Sequence, residues 1–423
     1  MRTNLFAALV WSALACPAAA AALIGQSQEP GTPPIPWTSC AWCVADTNDN
    51  VYLPGGFRVC AGRRSAEKMS RTVPGTLFSD GTSLFTWEAG RGTMSRVKPV
   101  ADGLVADGLA FRSGQWDVRF AFAPEGCRKG FAAEAPFFVY ERPAKKVVAY
   151  RADGSRIDNL VDVKALGFKS EVTAVAVHPA SGDLLLQTHW PECRIHRIAP
   201  DGREVRDGVW PQKMFGEGFA FVRGELWCFS TGACRVTDRL GAGKDGPGSA
   251  EASGTHGLAW GGDGWWLATD QGALFYSEQN LRRCIRRLGG VDGVTAFAVS
   301  EKGEIVASVG NGILAFWLDD GPDDAPHSTG GWAWTLGGRW APDHVSSIAC
   351  RNGRFFLRED HEPATWTLDL SVTQWVRRDK RMFKTNEVFT ATAADVTCRG
   401  WAVSYDADHR AFVRTKNPSR SVR

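Results

Sequence analysis

A few ionisable residues lie directly before short apolar segments, where they could bind a cation or exchange protons. Glu217 and His256 each come just before a short apolar segment, and they lie 39 residues apart. A carboxylate beside an imidazole can bind a divalent cation or exchange protons near neutral pH. Asp107 precedes a similar segment upstream, with Arg119 as the alternative there. We expect Glu217, His256 and Asp107 to be candidate ligands for calcium or zinc; the alternative is that they are solvated surface residues.

A second group of candidates lies in polar turns. His189 and Trp190 could stack on and hydrogen-bond to a sugar or another ring-shaped ligand. The other candidate ligand-binding residues belong to similar turns and are Glu192, Asp270, Asn311, Asp360 and His361. The alternative is that these turns are polar only because they are exposed.

The sequence contains no familiar catalytic motif. It has no H-E-x-x-H, no G-x-S-x-G, no P-loop and no dinucleotide-binding G-x-G-x-x-G after a strand. The formal net charge of +3 on 423 residues gives no electrostatic support for nucleic-acid binding. With 22% charged and 44% hydrophobic residues, the chain does not have the composition of a disordered protein. Whether it is an enzyme is left open by these observations.

The elements that must position these residues form a repeat. Each repeat reads as a strand, a Gly-containing turn and a further strand. The anchors that precede the first strands are 44, 39, 39 and 51 residues apart, at Thr173, Glu217, His256, Thr295 and Ser346. Apolar residues alternate within each repeat, which favours strands over helices. A multi-stranded repeat of about 40–50 residues is typical of the blades of a β-propeller.

This repeat predicts an all-β fold, a β-propeller of seven blades, with six or eight blades as alternatives. The residue just before each innermost strand should lie at the mouth of a central channel. We therefore expect Thr173, Glu217 and His256 to share that mouth. Most of the 18 tryptophans should fill the space between blades.

The N-terminal residues predict export. Arg2, the apolar residues 5–14 and the alanines of residues 18–22 are typical of a cleaved signal peptide over residues 1–22. Lipidation at Cys16 is the alternative. We expect a flexible lead-in over residues 23–39, one propeller domain over 40–415 and a basic tail over 416–423. No other segment has membrane length, so a monomeric protein that is secreted or periplasmic is predicted.

Export makes disulfides more plausible than zinc sites. Cys228 and Cys234 flank a three-residue turn, so a hairpin would place them opposite each other and allow a disulfide. Cys40 and Cys43 form a C-x-x-C motif. This motif is either a redox dithiol or half of a zinc site, or it consists of structural thiols bonded to other cysteines.

The repeats resemble the extracytoplasmic propellers of the gluconolactonase/regucalcin-like and NHL-like groups, over residues 173–201, 215–231, 255–276 and 294–317. In gluconolactonase-like proteins a Gly-Glu-Gly-Pro motif carries a carboxylate ligand for a divalent cation. The segment from Gly216 to Phe219 is similar, with Phe in place of Pro. The resemblance implies a cation ligand at Glu217.

Two functions are therefore predicted. The first is a secreted binding module that presents a binding face at the channel mouth to a small molecule, a glycan or a protein. The alternative is a metal-dependent hydrolase or lyase, similar to a lactonase, with a divalent cation in the channel.

Overall fold

The computed structural model describes residues 22–24, 35–63, 65–205, 218–229, 233–236, 246–247, 254–270, 272–279, 281, 286–290, 293–300, 304–309, 312–317, 345–359, 365–369, 374–378, 396–398, 401–408 and 410–416. The chain divides into two compact units. One is Glu29–Gly289, and the other is Met1–Gln28 with Gly290–Arg423. This division differs from the single domain expected over residues 40–415. Most of the predicted signal peptide and basic tail lie outside the described residues.

Strand β1 (Ala22–Ile24) belongs to the second unit. Among its described residues, the first unit contains six antiparallel sheets, and within each sheet the strands follow one another in the chain. Sheet 1 consists of β2 (Val44–Ala45), β3 (Val51–Leu53), β4 (Phe57–Val59) and β5 (Ala66–Lys68). Sheet 2 consists of β6 (Thr76–Ser79), β7 (Leu84–Glu88), β8 (Thr93–Val100) and β9 (Gly103–Arg112). Sheet 3 consists of β10 (Val118–Phe122), β11 (Phe137–Glu141), β12 (Lys146–Tyr150) and β13 (Arg156–Asp162).

The remaining sheets of the first unit follow the same order. Sheet 4 consists of β14 (Val172–Val177), β15 (Leu184–Thr188) and β16 (Ile195–Ile198). Sheet 5 consists of β17 (Gly218–Val222), β18 (Glu225–Phe229) and β19 (Ala233–Arg235). Sheet 6 consists of β20 (Thr255–Trp260), β21 (Gly264–Thr269), β22 (Gly272–Ser277) and β23 (Arg286–Leu288). A 3-10 helix, Gly130–Ala133, lies between β10 and β11.

Neighbouring sheets of this unit pack face to face through buried apolar clusters. Residue pairs that share a cluster, in order around the ring, are Tyr52 with Leu84, Phe111 with Val139, Val147 with Val175, Leu185 with Leu226, Trp227 with Trp265, and Trp266 with Val51. The last pair joins sheet 6 to sheet 1, so the six sheets close into a ring. A closed ring buries both faces of every sheet without leaving a long open edge.

The all-β propeller fold is therefore confirmed, but the predicted seven blades are wrong. The ring of the first unit closes with six sheets. In the parts of the chain that the structure describes, five sheets are complete meanders of four consecutive strands. Four of these five are sheets 1, 2, 3 and 6. The insertions that interrupt the sequence repeat made the period an unreliable measure of blade number.

The second unit contains three sheets among its described residues. One consists of β24 (Val294–Val299), β25 (Glu304–Val309) and β26 (Gly312–Trp317). The next is a four-stranded meander of β27 (Val345–Arg351), β28 (Arg354–Glu359), β29 (Thr365–Asp369) and β30 (Gln374–Arg378). The third consists of β31 (Val396–Cys398), β32 (Trp401–Asp406), β33 (Ala411–Lys416) and β1, which pairs with β33.

Strand β1 includes the first residues of the predicted lead-in. Leu23 pairs with Val413 and Ile24 pairs with Phe412 in antiparallel register. The flexible lead-in over residues 23–39 stays a prediction. These two residues are apolar, and pairing with β33 supplies partners for their backbone groups.

The predicted disulfide is not formed. Cys228 and Cys234 are directly opposite each other on β18 and β19, as the hairpin argument required. However, Cys228 is buried, and its Sγ donates to Oε1 of Gln187 on sheet 4 at 3.4 Å. The thiol therefore faces the neighbouring sheet. Cys40 and Cys43 are buried free thiols. No helix within the described ranges is long and apolar enough to span a bilayer.

Candidate functional site

A cavity of about 560 Å³ lies at the centre of the six-sheet ring. It is lined by the first strands of all six sheets, β2, β6, β10, β14, β17 and β20. Because every sheet is the same kind of meander, these strands all begin at one end of the ring, which we call the top face. Cavities of this size commonly hold small-molecule ligands.

Two first strands carry a β-bulge near the top face. On β14, Val172 pairs with Thr188 and Ala174 with Gln187, so Thr173 has no cross-strand partner. On β20, Thr255 pairs with Thr269 and Gly257 with Ala268, which leaves His256 as the extra residue. A bulge re-aims its side chain, and bulges are common at binding sites. Both Thr173 and His256 line the cavity.

Arg119 supplies a cation at the top of the cavity. Its Nε donates to the carbonyl oxygen of Thr173 at 3.0 Å, and its Nη1 donates to the carbonyl oxygen of Val118 at 3.0 Å. Nη1 also lies 3.4 Å from Oδ1 of Asp117. The guanidinium is thus held against two sheets, while the side chain is 40% exposed and accessible to a ligand.

His256 and Asp270 form a hydrogen-bonded pair at the same end. Nε2 of His256 lies 2.7 Å from Oδ1 of Asp270, which follows the last residue of β21. The carboxylate orients the imidazole ring. Behind the pair is Gly254, where a Cβ would come within 1.9 Å of Oδ2 of Asp270. The close approach of Asp270 to this backbone therefore requires glycine.

The wall of the cavity below these polar groups is aromatic. Phe78 and Phe120 both line it, and their rings meet edge to face with centroids 5.2 Å apart. Phe120 also packs on Trp87, at 4.9 Å between centroids. Phe219 and Phe221 line the opposite part of the ring, on sheet 5. The cavity thus combines an apolar wall with polar groups at its top.

A chain of ion pairs runs outward from Arg119 along the top face. Asp117, which contacts Arg119, also contacts Nη1 of Arg142 through Oδ2 at 3.4 Å. Arg142 in turn binds both carboxylate oxygens of Glu171. The hydrogen bonds from Arg142 lower the pKa of Glu171 below its usual value. These residues come from the loops that precede β10 and β14 and from the turn after β11.

The turn after β15 continues this surface. Its first residue, His189, donates its backbone N–H to the carbonyl oxygen of Glu171 at 2.9 Å. Trp190 follows and is 64% exposed. Glu192 is half-buried, with its backbone N–H bonded to Oγ of Ser170 and its Oε2 lying 4.0 Å from Nε2 of His196. The predicted candidates His189, Trp190 and Glu192 therefore share one turn on the top face.

The structure places other predicted site residues differently. Asp107 lies on β9, the outermost strand of sheet 2, and is exposed there. The expectation that it stands at the channel mouth is wrong, because the outermost strand is the one farthest from the ring centre. Arg119 occupies the inner position instead. The other predicted candidates fall outside the described residues, and they are Glu217, Asn311, Asp360 and His361.

Metal binding was predicted at Glu217 and His256. Of the residues that the structure describes, no group of three or more His, Cys, Asp or Glu side chains could hold a metal ion. His256 pairs with the carboxylate of Asp270. Because Glu217 is not described, the metal site stays a prediction.

Several top-face residues were missed by the sequence reasoning. Trp116, which is 73% exposed, Asp117, Arg142 and Glu171 were not among the candidates. The sequence did carry a signal for Trp116 and Asp117. Ser113 and Gly114 mark a turn, and Asp117 stands directly before β10, the position that should face the channel mouth. This position was not recognised, because the sequence alone left two segments of this region as candidates for the innermost strand. Arg142 and Glu171 belong to ordinary polar loops and carried no signal.

Comparisons with known proteins give weak structural likenesses. No protein family matches the chain, and no curated protein does. The chain is similar to PorZ, a bacterial surface component of the type-IX secretion system of Porphyromonas gingivalis, with a TM-score of 0.41, 10% identity, and coverage of 90% of this chain and 59% of PorZ. It thus spans less than two thirds of that structure's length.

Two other solved structures are similar. One is the gluconolactonase XC5397 from Xanthomonas campestris, with a TM-score of 0.30, 18% identity, and coverage of 71% of this chain and 99% of that one. The other is the extracellular domain of the putative one-component system BT4673 from B. thetaiotaomicron, with a TM-score of 0.31, 11% identity, and coverage of 92% and 59%. The propeller fold is established by the strand order and ring closure described above.

Proposed function

We propose that the protein is an exported binding module that takes a small-molecule ligand at the top of the central cavity. One observation carries this proposal. The cavity of about 560 Å³ is lined by all six first strands and presents Arg119, Thr173 and His256 at one end. Export is supported by the signal-peptide pattern of the N-terminal sequence.

The lining indicates the chemistry of the ligand. Phe78 and Phe120 offer an apolar wall, and Arg119 offers a cation whose position is fixed by the Thr173 carbonyl oxygen. A pre-positioned group loses little conformational entropy on binding. A small carboxylate with an aromatic or apolar body would therefore place its charge at Arg119 and its body against the rings.

Saturation-transfer NMR with phenylacetate, indole-3-acetate and their amides tests this proposal. In the wild-type protein we expect stronger saturation transfer to each carboxylate than to its amide. In Arg119→Gln, each carboxylate should give no more transfer than its amide. His256→Phe should also weaken binding of the carboxylates. The matched control is Arg203→Gln, because Arg203 is an exposed arginine on an outer turn that does not line the cavity. Equal signals in wild type, Arg119→Gln and Arg203→Gln would refute the proposed site.

The alternative function is a metal-dependent hydrolase or lyase that uses Glu217 and His256. It is supported by the similarity of the segment from Gly216 to Phe219 to a cation-binding motif. Metal analysis of the purified protein, with melting curves in added calcium or zinc, separates the two functions. A stoichiometric ion that is lost in Glu217→Gln would favour the enzyme. No ion and no melting shift would favour the binding module.

A further inference from the structure

Two strongly exposed tryptophans lie on the top face. Trp116 is 73% exposed and Trp190 is 64% exposed. Among the described residues, Leu109 is the other large hydrophobic side chain with comparable exposure, at 60%, and it lies on the outermost strand β9. Exposing a large aromatic ring forgoes the favourable free energy that its burial would give. Paired exposure on one face therefore points to a binding surface.

The chain of ion pairs connects these two tryptophans. Trp116 directly precedes Asp117, whose carbonyl oxygen accepts the backbone N–H of Arg142 at 3.2 Å. Arg142 binds Glu171, and the carbonyl oxygen of Glu171 accepts the N–H of His189 at 2.9 Å, directly before Trp190. We call the surface formed by Trp116, Asp117, Arg142, Glu171, His189 and Trp190 the tryptophan platform.

Both ends of the platform are held by hydrogen bonds. In the turn of Trp190, the backbone N–H of Cys193 donates to the carbonyl oxygen of His189 at 2.9 Å. The backbone N–H of Thr188 donates to the carbonyl oxygen of Arg194 at 2.8 Å. In the loop of Trp116, the N–H of Gln115 donates to Oγ of Ser113 at 3.2 Å. Loops fixed in this way present their aromatic rings without a large ordering cost on binding.

The platform carries no excess of positive charge. It contains the carboxylates of Asp117 and Glu171 and the guanidinium of Arg142, and Arg119, which lines the neighbouring cavity, adds the second cation of the ion-pair chain. A nucleic acid or a strongly charged peptide would gain no net electrostatic attraction here. A ligand with many hydroxyl groups would gain from it, because fixed carboxylate oxygens accept hydrogen bonds and guanidinium groups donate them.

We propose that the tryptophan platform binds a neutral oligosaccharide. Two sugar rings stack on Trp116 and Trp190 through their apolar faces, and hydroxyl groups between them bond to Glu171 and Arg142. Without an excess of positive charge the platform does not favour a polyanion, and two exposed tryptophans on one face offer stacking surfaces for more than one sugar ring. The platform lies beside the central cavity and not within it. A result that refutes saccharide binding at the platform therefore does not refute ligand binding in the cavity.

Titration calorimetry with cellohexaose, xylohexaose, mannohexaose and chitohexaose tests the platform. We expect at least one of these hexasaccharides to bind the wild-type protein. Trp116→Ala and Trp190→Ala should each weaken that binding about tenfold, as for a central aromatic contact, and the double variant should abolish it. Leu109→Ala is the matched control, because it removes an exposed apolar side chain outside the platform, and its affinity should equal that of wild type.

Three results would overturn this proposal. The first is that none of the four hexasaccharides binds. The second is that binding survives in the double variant, with circular dichroism showing that the variant is folded. The third is a wild-type dimer in sedimentation that becomes monomeric in the double variant without any saccharide binding, because the platform would then be a surface for a second copy of the chain. Loss of phenylacetate binding in Arg119→Gln is a separate result and does not bear on the platform.

Discussion

Arg142 and Glu171 form a two-point ion pair, with Nε bonded to Oε1 and Nη2 bonded to Oε2, both at 2.5 Å. Arg142 follows β11 of sheet 3, whereas Glu171 precedes β14 of sheet 4. The pair therefore joins two neighbouring sheets across the top face, above the apolar cluster that joins them in the interior. The same side chains form the centre of the tryptophan platform, so one contact serves both packing and recognition.

We predict that Glu171→Gln destabilises the protein at pH 7 and does so less at pH 3. The pKa of Glu171 is lowered by its hydrogen bonds to Arg142, so its contribution to stability is present above the pKa of the unfolded chain. That contribution is lost as the pH falls through the lower pKa of the folded state. Because the side chain is 47% exposed, solvent screening limits the effect at pH 7 to about 0.5–1 kcal/mol.

Urea unfolding of both proteins at pH 7 and pH 3 checks this prediction. Glu125→Gln is the control, since Glu125 is an exposed glutamate that does not belong to the ion-pair chain. A difference between wild type and Glu171→Gln that stays the same at both pH values would show that the ion pair is not its source.

Gly254→Ala is expected to disturb the pair formed by His256 and Asp270. Gly254 has a φ of +65°, which an alanine adopts only at a cost of about 1 kcal/mol. Its new Cβ would also come within 1.9 Å of Oδ2 of Asp270 and would push that carboxylate away. We expect a loss of about 1–2 kcal/mol of unfolding free energy. In addition, the imidazole resonances of His256 should shift.

Chemical unfolding and histidine NMR spectra measure these two effects. Gly202→Ala is a suitable control, because Gly202 also has a positive φ, of +79°, but no atom lies within 4 Å of an added Cβ. The Gly202→Ala variant should lose only the free energy that alanine's positive φ costs. The imidazole resonances of His256 should stay as in wild type. A wild-type His256 spectrum in Gly254→Ala would contradict the close contact with Asp270.

Much of the architecture could be predicted from the sequence because it is local. Alternating apolar residues and glycine turns identified the strands of sheets 4 and 6, and the anchors Thr173 and His256 lie at the cavity, as the repeat required. The blade number could not be predicted, since ring closure between Val51 and Trp266 joins residues far apart in the chain. The same limit applies to the platform, because Asp117, Arg142 and Glu171 meet only when sheets 3 and 4 pack.

Cysteine chemistry shows a different limit. Spacing correctly placed Cys228 opposite Cys234, because a hairpin fixes the register of its own strands. It did not determine where the thiol of Cys228 points, which depends on Gln187 of the neighbouring sheet. Sequence spacing is therefore informative within a sheet and much less so between sheets.

Trp266 should be essential for closing the ring. It is fully buried in the cluster that joins sheet 6 to sheet 1, so Trp266→Ala is expected to cost about 3–5 kcal/mol of unfolding free energy. Its Nε1 has no hydrogen-bond partner among the described residues, so Trp266→Phe loses no hydrogen bond and should cost clearly less. Trp190→Ala, which removes an exposed ring, should change stability by less than about 0.5 kcal/mol.

Thermal and urea unfolding of these three variants provides the measurement. The ordering of the losses is the decisive result, with the largest for Trp266→Ala and the smallest for Trp190→Ala. A Trp266→Ala variant as stable as wild type would mean that contact between sheets 1 and 6 does not hold the ring together. A large loss in Trp190→Ala would mean that this tryptophan supports the fold rather than a ligand.

Cys43 should make stability fall at alkaline pH. Burial raises the pKa of its thiol to about 12, whereas a cysteine in an unfolded chain ionises near about 8.5. The contribution of this group to stability is therefore complete below about pH 8.5 and is lost as the pH rises towards 12. In that range the unfolded state releases a proton that the folded state retains, at a cost of up to about 1.4 kcal/mol for each pH unit.

Urea unfolding at pH 7.5, 8.5 and 9.5, in the presence of a reductant, measures this slope in wild type and in Cys43→Ala. The variant should start less stable, because it leaves a small cavity, but it should lose stability less steeply above about pH 8.5. Val51→Ala is the control, since it leaves a cavity in the same buried cluster as Cys43 and removes no titratable group. Its slope should match that of wild type. Parallel slopes in wild type and Cys43→Ala would show that the Cys43 thiol is not shielded from ionisation in the folded protein.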